Sequence, residues 1–244
     1  MNIFDDDSEY YKVAWTWNLT DTSMGMTISH ESGHQMGLGH DGINAQSYYI
    51  GHGEWGPIMG APFGKPYVQW SRGEYPGANQ PEDDIAKVTA KLGLLADEAG
   101  DDFATATTLD LPVSNSNALI GYGDTDTYKF TLNSSGTVDI KVISLLGDED
   151  ETRAVNLAMN VLLVKLNPGD GIESNVSGID SSDHLPLSPL SNVFEYTGNL
   201  GAGTYGLRIT PNSPDTNWAT GFSNYGNAGK YRLTVMQPIK ASKL

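Results

Sequence analysis

Cysteine is absent from the 244 residues, and basic residues are few: 14 Lys and Arg stand against 30 Asp and Glu, a formal net charge of −16. Without a thiol, disulfide frameworks, thiolate nucleophiles and thiolate metal sites are all excluded. The scarcity of Lys and Arg argues against nucleic acid, whose phosphates demand clustered cations, and against anionic lipid surfaces. No run approaches eighteen apolar residues, so the sequence offers no membrane-spanning helix. The amino terminus, "MNIFDDDSEYYKVAWTW", lacks both a basic n-region and an apolar h-region, so an export signal is expected to lie outside this chain. Acidity of this kind favours solubility and, locally, cation binding. What is present is a hydrophobic fraction of 39%, enough for ordinary cores, in a length that suggests two domains.

Residues 10–17, "YYKVAWTW", read as a short strand, and "NLTDTS" supplies N-cap candidates for a helix starting near Ser23. That helix is expected to stop at Gly37 or Gly39, glycines suited to a left-handed turn. Residues 42–79 read as ordered loop. "NQPEDDIAKVTAKLGLL" predicts a second helix, with Pro81 at its first position and Ile85, Val88, Leu92 and Leu95 on its apolar face. "ADEAGDD", 96–102, reads as a linker. Beyond it come short alternating runs, "TYKFTL", "TVDIKVIS", "AMNVLLVKL", "NVFEYTG", "TYGLRIT" and "KYRLTV", which predict a β-sandwich. Residues 167–192 are expected to form a loop insertion, and "GDEDETR", 147–153, a solvated loop.

Three of the five histidines fall in "HESGHQMGLGHD", 30–41. On a helix, His30 and His34 lie one turn apart on one face, so both imidazoles can reach one ion. Glu31 can sit beside a water on that ion without being a ligand. Gly37 lets the chain leave the helix and swing back, so that His40 supplies a third nitrogen. Three protein ligands leave a fourth zinc position open, as catalytic sites require. HExxH alone recurs by accident. The added glycine and third histidine reduce coincidence to the order of 10⁻⁵ per chain.

The stretch resembles the signature of the metzincin metallopeptidases, HExxHxxGxxH followed by a methionine turn. The resemblance implies His30, His34 and His40 as zinc ligands and Glu31 as general base. Asp41, as in the reprolysin-like branch, would have a supporting structural role. "GPIMGAPF" offers Met59 for the methionine turn, an apolar floor under the imidazoles, and Ala61 stands where astacins and serralysins carry a tyrosine. Trp70 and Tyr75 read as core, and His52 and Glu54 as surface loop, with cleft lining as the alternative. "QWSRGEYPGANQPEDDIAKV" looks like the region after the turn in bacterial metzincins, including their closing helix.

Such a domain places four strands and a helix ahead of the last strand, about a hundred residues at ordinary element lengths. Twenty-nine precede His30. The expectation is therefore α+β: the C-terminal part of a metzincin catalytic domain (zinc helix, methionine turn, closing helix) over 1–95, with an uncovered apolar helix face, plus an all-β sandwich over 103–238. A divergent minimal domain is the alternative.

"GDDFATATTLDL", "GYGDTDTYKFTL", "LGAGTYGLRI" and "SNYGNAGKYRLTV" resemble the bacterial pre-peptidase C-terminal domain, a β-sandwich that trails secreted proteases. Some related sandwiches bind calcium. Glu98, Asp101, Asp102, Asp124 and Asp126 are the donors available here, and solvated turns are the competing reading. The resemblances imply a secreted bacterial zinc endopeptidase acting on a protein or peptide substrate, with no nucleic-acid or membrane partner. The cofactor implied is Zn²⁺, with Ca²⁺ as a second candidate. Two alternatives stand beside it: a catalytically incomplete fragment whose sandwich is a binding or folding module, and a zinc hydrolase of non-peptide amides.

Overall fold

The computed structural model describes residues 16, 21–145, 156–176, 193–213, 218 and 221–237. The strand expected at 10–17 and the loop at 147–153 lie outside these residues. No helix among them is long and apolar enough to cross a membrane. The chain divides into two units. Of the described residues, the first unit holds 16, 21–95, 156, 213, 218 and 221–227. The second holds 96–145, 157–176, 193–212 and 228–237. The first unit is thus discontinuous in sequence: residues 213–227, which the sequence places among the sandwich strands, cluster with it.

The α+β expectation is overturned. Among the described residues two helices stand against eleven strands, a mainly β composition. The strands described in the first unit are a parallel pair of three residues each, β1 (Trp55–Pro57) and β2 (Tyr67–Gln69). The helices are α1 (Asp21–Gln35) and α2 (Asp84–Leu92). With so little sheet, α1 packs on a loop instead: Leu38, Ile58, Met59 and Val68 form a small core to which Met26, Trp70 and Val88 are added.

α1 ends as its glycine predicts. Gly37 adopts φ 90°, its N–H donates to His34 O (2.9 Å), and Leu38 N–H donates to Gly33 O (3.0 Å). This pair of bonds is the Schellman arrangement, which needs a left-handed residue after the helix. α2 starts three residues later than Pro81 suggested, because the Asp83 carboxylate accepts Ala86 N–H and caps it. Its expected apolar face is only partly used: Val88 packs on the small core, whereas Leu92 and Leu95 are exposed.

Residues 221–227 pack within the first unit. Phe222 is fully buried with its ring 5.1 Å from that of Tyr67. Ser223 donates to Glu74 (2.7 Å), and Tyr225 donates to Asp83 (2.6 Å) while accepting Ile85 N–H (2.9 Å). Gly226 lies so close to Trp70 that an added Cβ would sit 2.4 Å from its carbonyl oxygen.

The second unit is a β-sandwich. One sheet runs β3 (Thr107–Thr108), β5 (Asp126–Leu132), β10 (Gly203–Pro211), β7 (Met159–Leu166), β8 (Ile172–Asn175). The other runs β4 (Val113–Ile120), β11 (Gly229–Met236), β6 (Gly136–Ser144), β9 (Val193–Leu200). All pairs are antiparallel except β3 with β5. Alternate residues, such as Tyr128, Phe130 and Leu132 or Tyr231, Leu233 and Val235, enter one shared core of twenty buried side chains. At about 1.5–3 kcal/mol for each large apolar side chain, this core explains why the sandwich needs no disulfide. β3, β4 and β8 escaped the sequence reading. β4, "VSNSNALI", is too polar to alternate visibly, and β8 falls within the stretch expected to be loop.

Asp84 generates a prediction. Its side chain is buried, with one carboxylate oxygen accepting Ser71 N–H (3.0 Å) and the other without a partner among the described residues. Burial, aided by the neighbouring Glu82 and Asp83, pushes its pKa from 3.8 up to about 7. The folded form therefore keeps a proton that the unfolded chain releases between pH 4 and 7, and stability falls across that window as pH rises. Asp84→Asn keeps an acceptor for Ser71 and should flatten the fall. The described tryptophans, Trp55, Trp70 and Trp218, lie in the first unit, so urea unfolding of metal-free protein followed by tryptophan fluorescence reports on it. An unchanged pH profile in Asp84→Asn contradicts the assignment.

Candidate metal centre

His30 and His34 stand one turn apart on α1, and the Schellman turn brings the chain back so that His40 meets them. The ring centroids lie 4.7 Å (His30–His34), 4.7 Å (His34–His40) and 5.3 Å (His30–His40) apart. One nitrogen from each ring falls within 4.8 Å of the others. His34 Nε2 and His40 Nε2 are 3.0 Å apart, close to the roughly 3.3 Å of two nitrogens on one tetrahedral zinc.

The other ring nitrogens explain the orientation. His30 Nδ1 lies 2.8 Å from Ile58 O, and His34 Nδ1 lies 2.9 Å from Leu38 O. A carbonyl can only accept, so both Nδ1 atoms carry the proton and, in the neutral ring, both Nε2 atoms present lone pairs. Burial holds the His30 imidazole below its ordinary pKa, reinforced by neighbouring His34 and opposed by the Ile58 hydrogen bond and by Glu31. His40 is lowered too, by burial and then by its two histidine neighbours. Neutral imidazole is the metal-binding form. Donor type, tautomer and convergence all fit a zinc ion.

The loop that carries Met59 packs against the histidine site. Ile58 supplies the carbonyl for His30, and Met59 O accepts Asp41 N–H (2.9 Å), next to the third histidine. Met59 is fully buried, and a Cβ on Gly33 would lie 2.4 Å from its Sδ. Asp41 is buried, but its carboxylate has no hydrogen-bond partner among the described residues, and burial beside Asp84 and Glu82 pushes its pKa up to about 8. Its backbone N–H donates to Met59 O, and its carbonyl accepts Tyr49 N–H (2.8 Å).

Three residues around the site were not foreseen. Glu82 accepts Gly39 N–H between Leu38 and His40, and Lys87 pairs with Glu82 while donating to Gly37 O (3.1 Å). Tyr48 lays its ring 4.2 Å from that of His40. "PEDD" beside a predicted helix gave a weak hint of Glu82; a tyrosine in a loop gave none of Tyr48. His52 does not reach the metal ligands: its Nδ1 meets Tyr49 OH (2.7 Å), and its Nε2 donates to Gly221 O. Trp70 and Tyr75 pack as core, Tyr75 donating to Gly42 O (2.9 Å).

Beside His30 opens a pocket of about 190 Å³, bordered by Glu31, Met26, Ile58, Tyr48 and Phe63. Glu31 is therefore placed between the three histidines and a largely apolar cavity.

In the second unit the structure gathers Asp97, Asp124 and Asp126, with one carboxylate oxygen of each within 4.8 Å of the others. Asp97 was missed. Glu98, Asp101 and Asp102, proposed from the sequence, do not join: Glu98 accepts Leu119 N–H, and Asp102 accepts Ala104 and Thr105 N–H (2.9 and 2.8 Å) in a local turn. Asp126 is wholly buried. One of its oxygens accepts Tyr231 OH, which itself meets Tyr128 OH (2.6 Å), and the other has no partner among the described residues.

No family model matches this chain, and no curated protein matches it. Among solved structures, it is similar to the pre-peptidase C-terminal domain of a collagenase from Bacillus anthracis, at 18% identity and a TM-score of 0.34, over 58% of this chain and 98% of that one. CorA, a surface-associated copper-binding protein of Methylomicrobium album BG8, is 11% identical over 54% of this chain and 97% of its own, with a TM-score of 0.34. PliG, a periplasmic lysozyme inhibitor of Salmonella Typhimurium, is 20% identical over 55% and 100%, with a TM-score of 0.29. At these scores the likenesses carry no argument about what this chain does.

The packing of Met59 against α1 predicts a contrast between two glycines of that helix. Gly33→Val must displace a buried methionine and should cost about 1–3 kcal/mol. Gly25 faces open space, with nothing within 4 Å of an added Cβ, so Gly25→Ala should stabilise by about 0.5–1 kcal/mol. Urea unfolding read by tryptophan fluorescence compares them, and equal effects would contradict the packing.

Proposed function

We propose that the first unit is the metal centre of a secreted zinc endopeptidase, with Glu31 as its base. The observation that carries this reading is the convergence of three imidazole nitrogens, two with tautomers set by backbone carbonyls, at the edge of a pocket that Glu31 borders. The likeness of "HESGHQMGLGHD" and Met59 to the metzincin signature supports it, and secretion goes with that likeness. Zinc supplies a Lewis acid that polarises a peptide carbonyl and acidifies water. His30, His34 and His40 hold it. Glu31 takes a proton from the attacking water and delivers it to the departing amine, so no proton is lost to solvent between the two halves of the reaction. Met26, Ile58 and Phe63 give the pocket an apolar lining, which suits a peptide with an apolar side chain beside the scissile bond.

A second reading, in which the chain is catalytically incomplete and the sandwich is a folding or binding module, is favoured by one observation. The first unit includes residues 213–227, which lie between β10 and β11 in sequence. Peptide hydrolysis abolished by a chelator and restored by zinc separates the two. For the second unit we propose calcium at Asp97, Asp124 and Asp126, a reading supported by the unpartnered oxygen of buried Asp126.

Two outcomes are expected. Glu31→Gln should keep the parent's zinc stoichiometry while peptide turnover falls by about 10²–10⁴-fold; a variant as fast as its parent removes Glu31 from the mechanism. Millimolar calcium should raise the melting temperature of the parent but leave that of Asp124→Asn unmoved. A parent midpoint indifferent to calcium leaves the three aspartates as solvated turns.

A further inference from the structure

Tyr48 is an aromatic residue held in an exposed position beside the metal ligands. It is 46% exposed, its ring 4.2 Å from that of His40 and 6.2 Å from that of His30, and it borders the pocket that also contains Glu31 and Phe63. Its backbone is not free to choose another place. The next residue, Tyr49, donates its N–H to Asp41 O (2.8 Å) and accepts Ala61 N–H at its carbonyl (2.8 Å). The Tyr49 ring stacks on Tyr75 at 4.4 Å and its hydroxyl meets His52. Tyr49 is thereby tied to the chain on both sides of the metal loop, one bond next to His40 and the other at the pocket wall. Tyr48 is carried by that anchored backbone, its ring against His40 and open to solvent. Phe63, 59% exposed, borders the same cavity. Two exposed aromatic rings around one apolar cavity form a surface that gains from being covered, and a pre-set ring binds with little loss of conformational freedom.

We propose that Tyr48 is a specificity-determining residue, whose ring is the wall against which the apolar side chain of a bound peptide packs. The assignment rests on the zinc-peptidase reading and adds to it the residue that selects the substrate. It requires the ring and not the hydroxyl, so phenylalanine should replace it.

The test uses zinc-loaded protein and two metal-chelating probes, acetohydroxamate, which has no side chain, and leucine hydroxamate, which has an apolar one. Titration calorimetry measures their binding to the parent, Tyr48→Phe and Tyr48→Ala, and competition with a chelator measures zinc affinity in each. The parent and Tyr48→Phe should prefer leucine hydroxamate. Tyr48→Ala should bind it about tenfold more weakly, with acetohydroxamate binding and zinc affinity unchanged. Equal binding of leucine hydroxamate by parent and Tyr48→Ala overturns the proposal. So does a parent without preference between the probes. A fall in zinc affinity and in both probes together also overturns it, because the ring would then serve only to orient His40. A parent that takes up no zinc overturns the metal reading, and this assignment with it.

Discussion

Histidine can present a lone pair from either ring nitrogen, and in the first unit two backbone carbonyls make that choice. Leu38 O and Ile58 O each accept a hydrogen bond from an Nδ1–H, which turns the Nε2 atoms of His34 and His30 toward a common point. Each carbonyl is itself held by structure. Leu38 is the second residue of the Schellman turn that ends α1, and Ile58 precedes the buried Met59 in the loop packed under that helix. The site therefore depends less on the helix than on what stops it and on what lies beneath it.

Among the described residues α1 rests on a loop rather than on a broad β-layer, and Met59 fills the space that Gly33 leaves open. α2 contributes through its start rather than its apolar face, with Glu82 and Lys87 gripping the backbone on both sides of Leu38. Residues 213–227 add Phe222 and Tyr225 to the same unit. A histidine-bearing loop pinned from this many directions is pre-organised. Buried Asp41 and Asp84 oppose that stability as pH rises, because each must lose solvent to ionise.

In the sandwich the alternation of "TYKFTL", "TYGLRIT" and "KYRLTV" made β5, β10 and β11 legible, since a period of two reports directly which face is buried. β4 was illegible because its Ser and Asn residues mask that period. The expected α+β layer failed for a different reason. It was carried by resemblance rather than by residues, and the described residues of the first unit include two three-residue strands to build it. Of the carboxylates proposed to gather, Asp102 accepts Ala104 and Thr105 N–H in a local turn and stays apart, whereas Asp97 entered the cluster unannounced.

By itself the sequence determined what is local: the one-turn spacing of His30 and His34, the glycine whose positive φ ends the helix, and the return of the chain to His40 within six residues of His34. Helical geometry and the left-handed freedom of glycine are short-range, so spacing alone encodes them. Only tertiary structure decided which carbonyl orients His30, 28 residues away, and that His52 meets Gly221, 169 residues on. It alone also brought Tyr48 against His40. Those contacts arise where separate stretches of chain pack together, and no periodicity in either stretch records the meeting.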